Sequence, residues 1–179
     1  ALVEADGILA TFGSLLRIAQ IEAITRRSSF RPMDLSAVFE SVADAYGPVG
    51  EDSDKNIEAD IASEIAINGD RELLVQMLVN LVENALNHTA SGTTIRITLR
   101  QGPKGPIGVI SDNGGGIPKS DREKIFRRFY RLEASRSTPG SGLGLALVKA
   151  VADLHGIAVT ITDNHPGAVF TICFDGSLA

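Results

Sequence analysis

The sequence predicts an α/β sandwich, one mixed sheet under a single helical layer, preceded by a long amphipathic helix. Three observations lead there. Runs with the two-residue alternation of strands are interrupted by segments whose apolar residues recur every three to four positions, the period of a helix. Gly-Pro and His-Pro-Gly steps of the kind that close turns separate neighbouring strand runs, which suits a two-layer architecture. Ahead of both, one apolar stripe extends from Leu2 to about Arg27.

That stripe comprises Ile8, Leu9, Phe12, Leu15, Leu16, Ala19 and Ile24, and a helix so patterned needs partner helices. Ser28-Ser29-Phe30-Arg31-Pro32 ends it, so a domain edge is expected near residue 30, with residues 1–29 on one side and 30–179 on the other. Asp34 is placed to cap a second helix through Leu35, Val38, Phe39 and Val42 to Tyr46-Gly47-Pro48. After an acidic loop, Glu51-Asp52-Ser53-Asp54, the alternation from Ile57 to Ile67 fits two short strands. Asp70 then caps a long helix that runs to His88. Strands are expected over Thr94–Arg100, Ile107–Ser111, Ala158–Thr162 and Ala168–Phe174, with one further helix ahead of the last pair. The chain has no internal repeat.

With 179 residues, 44% apolar and 22% charged, the composition is that of a folded globular protein and not of a disordered segment. A formal net charge of −5 offers no basic field for a phosphate backbone, and the few aromatics are not interleaved with Lys or Arg, so nucleic acid is not an expected partner. Cys173 stands alone in the apolar run Val169-Phe170-Thr171-Ile172-Cys173-Phe174. It can make no internal disulfide, and a reducing cytoplasm is the expected compartment. No run approaches the roughly 18 apolar residues that span a bilayer, and no signal segment opens the chain. Ala1-Leu2-Val3-Glu4-Ala5-Asp6 has the pattern of helix interior without an initiator Met. A longer parent protein is therefore expected, this chain being its cytoplasmic part if the parent is anchored in an inner membrane.

Four segments carry chemistry. In Asn80-Leu81-Val82-Glu83-Asn84-Ala85-Leu86-Asn87-His88, a helical turn of 100° per residue puts Asn80, Asn84 and Asn87 within about 60° of one another, beside an apolar arc. Such a stripe is either a solvated face or a row of carbonyl oxygens for a hard cation such as Mg²⁺. Asn forms helices less well than Glu, Lys or Gln, which speaks for the cation. The second segment, Ile107 to Pro118, is an apolar strand ending in Asp112 and the run Gly114-Gly115-Gly116. Glycines let backbone approach a flat ligand, and an aspartate there accepts from an exocyclic amine but repels a carbonyl, which selects adenine over guanine. An Asx turn would use the same Asp-Asn-Gly step.

The third, Lys124-Ile125-Phe126-Arg127-Arg128-Phe129-Tyr130-Arg131, is cationic and aromatic, and a polar run from Glu133 to Pro139 follows it. Together they have the pattern of a hinged lid, with Arg128, Arg131 and Arg136 either solvated or set to meet phosphate. The fourth is Gly140-Ser141-Gly142-Leu143-Gly144-Leu145 running into an apolar helix, whose free amides form an anion site. Its G-x-G-x-G spacing and the absence of a preceding strand exclude a Rossmann fingerprint, and no Gly-Lys-Ser/Thr exists for a P-loop.

In this order and spacing, the four segments resemble the N, G1, F and G2 boxes of sensor histidine kinases, over residues 30 to 179. The leading helix resembles the second helix of that family's dimerisation and histidine-phosphotransfer domain. The resemblance implies the Bergerat fold shared with Hsp90, MutL and gyrase, ATP and Mg²⁺ as ligands, and phosphorylation of a histidine. It implies Asn84, helped by Asn80, as metal ligands, Asp112 as the adenine contact, and Gly114 and Gly116 as shapers of its pocket. Gly142 and Gly144 would hold the triphosphate. Asn87, His88, Ile117, Phe129, Gly140, Ser141, Leu143 and Leu145 would complete the nucleotide contacts, with Asn80, Arg128 and Arg131 serving the transfer itself. Expected partners are a response regulator, the phosphoacceptor helix of the same kinase and, in the full protein, a second copy.

Two departures from that pattern matter. Gyrase-like relatives carry a Glu four residues before the metal-binding Asn as a base for water; here the position is Asn80, an amide that cannot take a proton, so hydrolysis is expected to be slow. Glu83 lies about 60° off the Asn stripe and is given a lesser role. Nor does any histidine sit in the family's acceptor motif: His88 precedes Thr89, His155 precedes Gly156 in a strand-turn context, and His165 precedes Pro166. The acceptor is expected outside this chain. An anti-sigma-factor type of serine kinase shares these boxes, but the leading helix argues against it. A non-catalytic adaptor would have no need of intact Asn84, Asp112 and both glycine runs.

Overall fold

The computed structural model describes residues 2–23, 30–132 and 140–175. Its elements are α1 (Leu2–Ala23), β1 (Arg31–Asp34), α2 (Leu35–Asp52), β2 (Asn56–Ile61), β3 (Ala66–Gly69), α3 (Arg71–His88), β4 (Thr94–Gly102), β5 (Gly105–Asp112), a 3-10 turn at Lys124–Phe126, α4 (Gly144–His155), β6 (Ala158–Asp163) and β7 (Ala168–Cys173). Five strands form one sheet in the order β2-β4-β5-β7-β6, in which β2 and β4 are parallel and the other pairs antiparallel. Helices α2, α3 and α4 cover one face, so the α/β sandwich with a mixed sheet is the architecture found.

The core lies between these layers, and strand alternation builds it. Ile95, Ile97 and Leu99 of β4, Ile110 of β5 and Phe170 and Ile172 of β7 point inward. They meet Leu74, Met77, Leu78 and Leu81 of α3 and Val148 and Val151 of α4, all buried. Phe39 of α2 is wholly buried and lies edge-on to Phe174 at 6.5 Å between centroids. It reaches the sheet because residue 108 is glycine: a Cβ there would stand 2.5 Å from Phe39 Cζ.

Three features depart from the sequence expectation. The first is β1, which pairs antiparallel with β3 in a separate two-stranded sheet, so the two strands expected between Ile57 and Ile67 serve different sheets. Four residues containing Pro32 show no alternation, and a proline without an N–H is tolerated in so small a sheet. The second is α2, which passes Gly47-Pro48 and ends only at Asp52. Pro48 and Asp44, whose carbonyl loses its helical donor, are both exposed, so water replaces that bond. Past the proline, buried Gly50 packs on β2 so closely that a Cβ would stand 2.9 Å from Ile57 Cγ1. The caps behave as expected: Asp34 accepts from the Ala37 amide at 3.1 Å and Asp70 from the Leu73 amide at 3.2 Å.

The third concerns His155, which ends α4 instead of lying in a strand turn. It is fully buried; Nε2 accepts from the Asp70 amide at 3.1 Å, so the proton resides on Nδ1, which donates to the Val151 carbonyl at 2.9 Å. The ring stacks on Phe30 at 4.3 Å. This histidine thereby joins the start of α3, the end of α4 and the chain entering β1.

The leading helix lies against α4. Its apolar stripe divides: Ile18 and Ile21 are buried and Leu15 partly so, whereas Leu9, Phe12 and Leu16 face outward. Glu22 pairs with Arg128, and Arg17 Nε donates to Gln76 Oε1 at 3.5 Å.

Candidate functional site

The C-terminal half of α3, the end of β5 and the start of α4 enclose an open cavity of about 1120 Å³, ample for a nucleoside triphosphate. Asn80, Asn84, Asn87 and His88 line one wall. Asn80 is oriented by its own helix, since Nδ2 donates to the Gln76 carbonyl at 2.8 Å. Its Oδ1 then points at the first residue of α4, where a Cβ on Gly144 would stand 2.8 Å from it. Glycine at 144 lets the Asn80 amide pack directly against the start of α4 at the cavity wall.

The wall continues through Gly140, Ser141, Gly142, Gly144 and Leu145. α4 is 12 residues long, and Leu143 at its N-cap supplies no side-chain acceptor, so the first amides are open to an anion at the positive end of the helix. Gly142, at φ +70°, presses against the backbone of Phe129, whose N–H donates to the Gly142 carbonyl at 3.0 Å. Arg131 lines the cavity and donates to the Gly140 carbonyl at 2.9 Å. Partial burial of the ring, then the charge of Arg131, hold His88 below the ordinary imidazole range.

The inner end of the cavity belongs to Asp112, only 6% exposed. Its Oδ1 accepts from the Gly114 amide at 2.8 Å and from the Ala168 amide at 3.4 Å, while no hydrogen bond of Oδ2 is found among the described residues. The Asx-type contact to Gly114 and a free acceptor oxygen thus coexist. Gly116, at φ +73°, and Ile117 continue the wall.

Most sequence-predicted site residues therefore converge, and four do not touch the cavity. Gly114 packs beneath the loop, where a Cβ would stand 2.6 Å from Thr89 Cγ2. Leu143 is buried in the core, and Phe129 turns outward, 58% exposed. Arg128 lines a second, smaller cleft between α1 and α4 and is paired with Glu22, away from the cavity formed by α3, β5 and the start of α4. Arg136 and most of the expected lid, residues 133–139, lie outside the described residues.

Sequence reasoning missed Tyr130, Ala168 and Phe170 and undervalued Glu83, all on the cavity wall. Ala168 enters through strand register: Ser111 pairs with Val169, so Ala168 stands beside Asp112 once β5 and β7 are paired. Tyr46 donates to Glu83 at 2.6 Å; burial, then this bond, raise the phenol far above its ordinary pKa and keep it a donor. Nothing in the sequence signals a contact across 37 positions. Among the described residues no three His, Cys, Asp or Glu side chains gather as a metal site, so a cation here would depend on Asn oxygens and ligand phosphates.

The family model for histidine kinase-, DNA gyrase B- and HSP90-like ATPases matches residues 69–177, and the chain belongs to this family. Within it, the chain resembles the ATP-binding catalytic domains of sensor histidine kinases. The sensor protein IrlS of Burkholderia pseudomallei is 37% identical over 168 residues, 92% of this chain and 36% of IrlS. Full-length ShkA, solved in complex with AMPPNP, superposes with a TM-score of 0.82 at 26% identity over 94% of this chain and 36% of ShkA. The mycobacterial sensor histidine kinase MprB gives a TM-score of 0.69 at 31% identity over 80% of this chain and 95% of the solved one. The chain spans about a third of the length of IrlS.

Proposed function

We propose that this chain is the ATP-binding catalytic part of a two-component sensor histidine kinase and transfers the γ-phosphate of ATP to a histidine outside it. The observation that carries the reading is the meeting, in one cavity, of a buried aspartate with an open acceptor oxygen, an amide stripe and an uncapped helix start. In this reading Asp112 takes the adenine amine. Asn84 and Asn80 hold Mg²⁺ on the phosphates, and the amides of α4, with Arg131 and His88, neutralise the triphosphate. Arg128 is assigned to holding α1. Asn80 is no base for water, which keeps the γ-phosphate for a side chain.

Residues 1–29 then belong to the second helix of a dimerisation and phosphotransfer domain. The partners are the phosphoacceptor helix, a second copy in the full protein, and a response regulator. Among the described residues no helix is long and apolar enough to cross a membrane, and we assign the chain to the cytoplasmic side. Incubation with Mg²⁺ and γ-labelled ATP tests the reading. The chain should bind ATP yet acquire no acid-labile label and release phosphate slowly, and an added dimerisation domain with a His-Glu or His-Asp motif should become labelled. Label on the isolated chain, or fast phosphate release without an acceptor, would overturn it.

A further inference from the structure

The inner end of the cavity is fastened by a turn some fifty residues further along the chain. Asn164-His165-Pro166-Gly167 joins β6 to β7 and is closed by the Asn164 amide donating to the Gly167 carbonyl at 3.0 Å. From this turn, Asn164 Nδ2 donates to the main-chain carbonyl of Asp112 at 2.8 Å. Gly167, at φ +112°, comes so close that a Cβ would stand 1.8 Å from the same carbonyl oxygen. A Cβ on Gly116 would in turn stand 3.0 Å from the Gly167 carbonyl oxygen. At the far end of the loop, Arg122 pairs with Asp163 and donates through Nε to the Ile117 carbonyl at 3.1 Å. Both ends of segment 112–117 are thus tied to one hairpin.

We propose that the β6–β7 turn is a working wall of the adenine subsite, in which Asn164 is a positioning residue that fixes the Asp112 main chain and so aims its carboxylate. The inference rests on the nucleotide-site reading above. Discrimination between an amine and a carbonyl on a purine depends on where one carboxylate oxygen stands, and recognition geometry must hold to within about 0.5 Å. Asp112 is held at two points, its Oδ1 by the Gly114 and Ala168 amides and its carbonyl by Asn164. With Asn164 truncated, the second point is lost; among the described residues the peptide after Asp112 keeps the tether of Asn113 to Thr94, next to the pairing of Asp112 with Ile95 on β4. The carboxylate then wanders while the phosphate end, built on α3 and α4, stays in place.

The test compares the full chain with Asn164→Ala by calorimetry, using Mg-ATP, Mg-ITP and Mg-tripolyphosphate as three probes. ITP carries a carbonyl where ATP carries the amine. The wild-type chain should prefer ATP to ITP. Asn164→Ala should lose roughly tenfold in ATP affinity, the factor that 1.4 kcal/mol produces, with ITP and tripolyphosphate moving less than about twofold. An unchanged ATP to ITP ratio would overturn the proposal, as would an equal loss on all three probes, the mark of general damage to the fold. Should Asn164→Ala melt below the titration temperature, Arg122→Gln, which breaks the tie to Asp163, decides: a ratio lowered by roughly threefold supports the proposal and an unchanged ratio overturns it. A wild-type chain that binds all three probes alike would instead remove the adenine reading itself, and the proposal with it.

Discussion

Replacing Asp112 by Asn changes the charge of one buried group and almost nothing of its shape. In the folded chain Oδ1 already accepts from two backbone amides, Gly114 and Ala168. The carbonyl oxygen of an asparagine can keep both, and its NH₂ group is then turned toward the cavity, where a donor would meet the adenine amine, another donor. What is lost is a charge-assisted hydrogen bond of roughly 1.5–3 kcal/mol. At 1.4 kcal/mol per decade, ATP affinity should fall by roughly 12- to 150-fold. Folding should suffer little, because both accepted bonds survive. Were the amide to flip, the two backbone N–H groups would lose their acceptor, and the penalty would move from binding to stability. Calorimetry with Mg-ATP and a thermal melt, run on the same preparation, separate these outcomes. Wild-type affinity together with a wild-type melt would refute the placement of adenine at Asp112.

Three further outcomes are expected. Asn84→Ala should abolish the Mg²⁺ dependence of ATP binding, and a calorimetric series that keeps the wild-type response to Mg²⁺ would place the metal elsewhere. His88 is held below the ordinary imidazole range and is neutral in the empty cavity at pH 7; phosphate charge favours its protonation, so binding takes up a proton. ATP affinity should therefore rise as the pH falls from about 7.5 toward about 6, and His88→Gln should flatten the profile; parallel slopes would exclude His88 from the phosphate end. Phe39→Ala should cost about 3–5 kcal/mol in chemical denaturation, since Phe39 is fully buried between α2 and the sheet; a loss under about 1 kcal/mol would mean that Gly108 and Phe174 close the gap.

The parts of this fold that were legible in the sequence are those set by local rules. Asp34 and Asp70 cap their helices, and the alternation in β4 and β7 sorts residues to one face, because both patterns act within a few positions. β1 was not legible: four residues around a proline carry no period, and the strand exists only because β3 lies beside it. The cavity divides in the same manner. The Asn stripe and the glycine run are spacing patterns on single elements, and they converge as expected. The place of Arg128 depended on what stands next to it in space, and Glu22, 106 positions away, is not something spacing reveals. Ala168 and Asn164 act on Asp112 through strand register, a quantity that appears only once the sheet is assembled.

The packing of α1 bears on where one unit ends and the next begins. The sequence pattern places a domain edge near residue 30, yet Ile18 and Ile21, on the N-terminal side of that position, are buried. Each fully buried isoleucine represents roughly 1.5–3 kcal/mol of stabilisation relative to an exposed one, and here that contribution is shared between a helix on one side of the linker and α4 on the other. Cutting at residue 30 would divide a hydrophobic contact and not merely a peptide: the shortened fragment would show water a bare strip of α4, while the liberated helix would carry apolar side chains on two faces, Ile18 and Ile21 on one and Leu9, Phe12 and Leu16 on the other. In solubility terms α1 is a cover on the flank of α4, and a cut there would have to part that contact as well as the peptide.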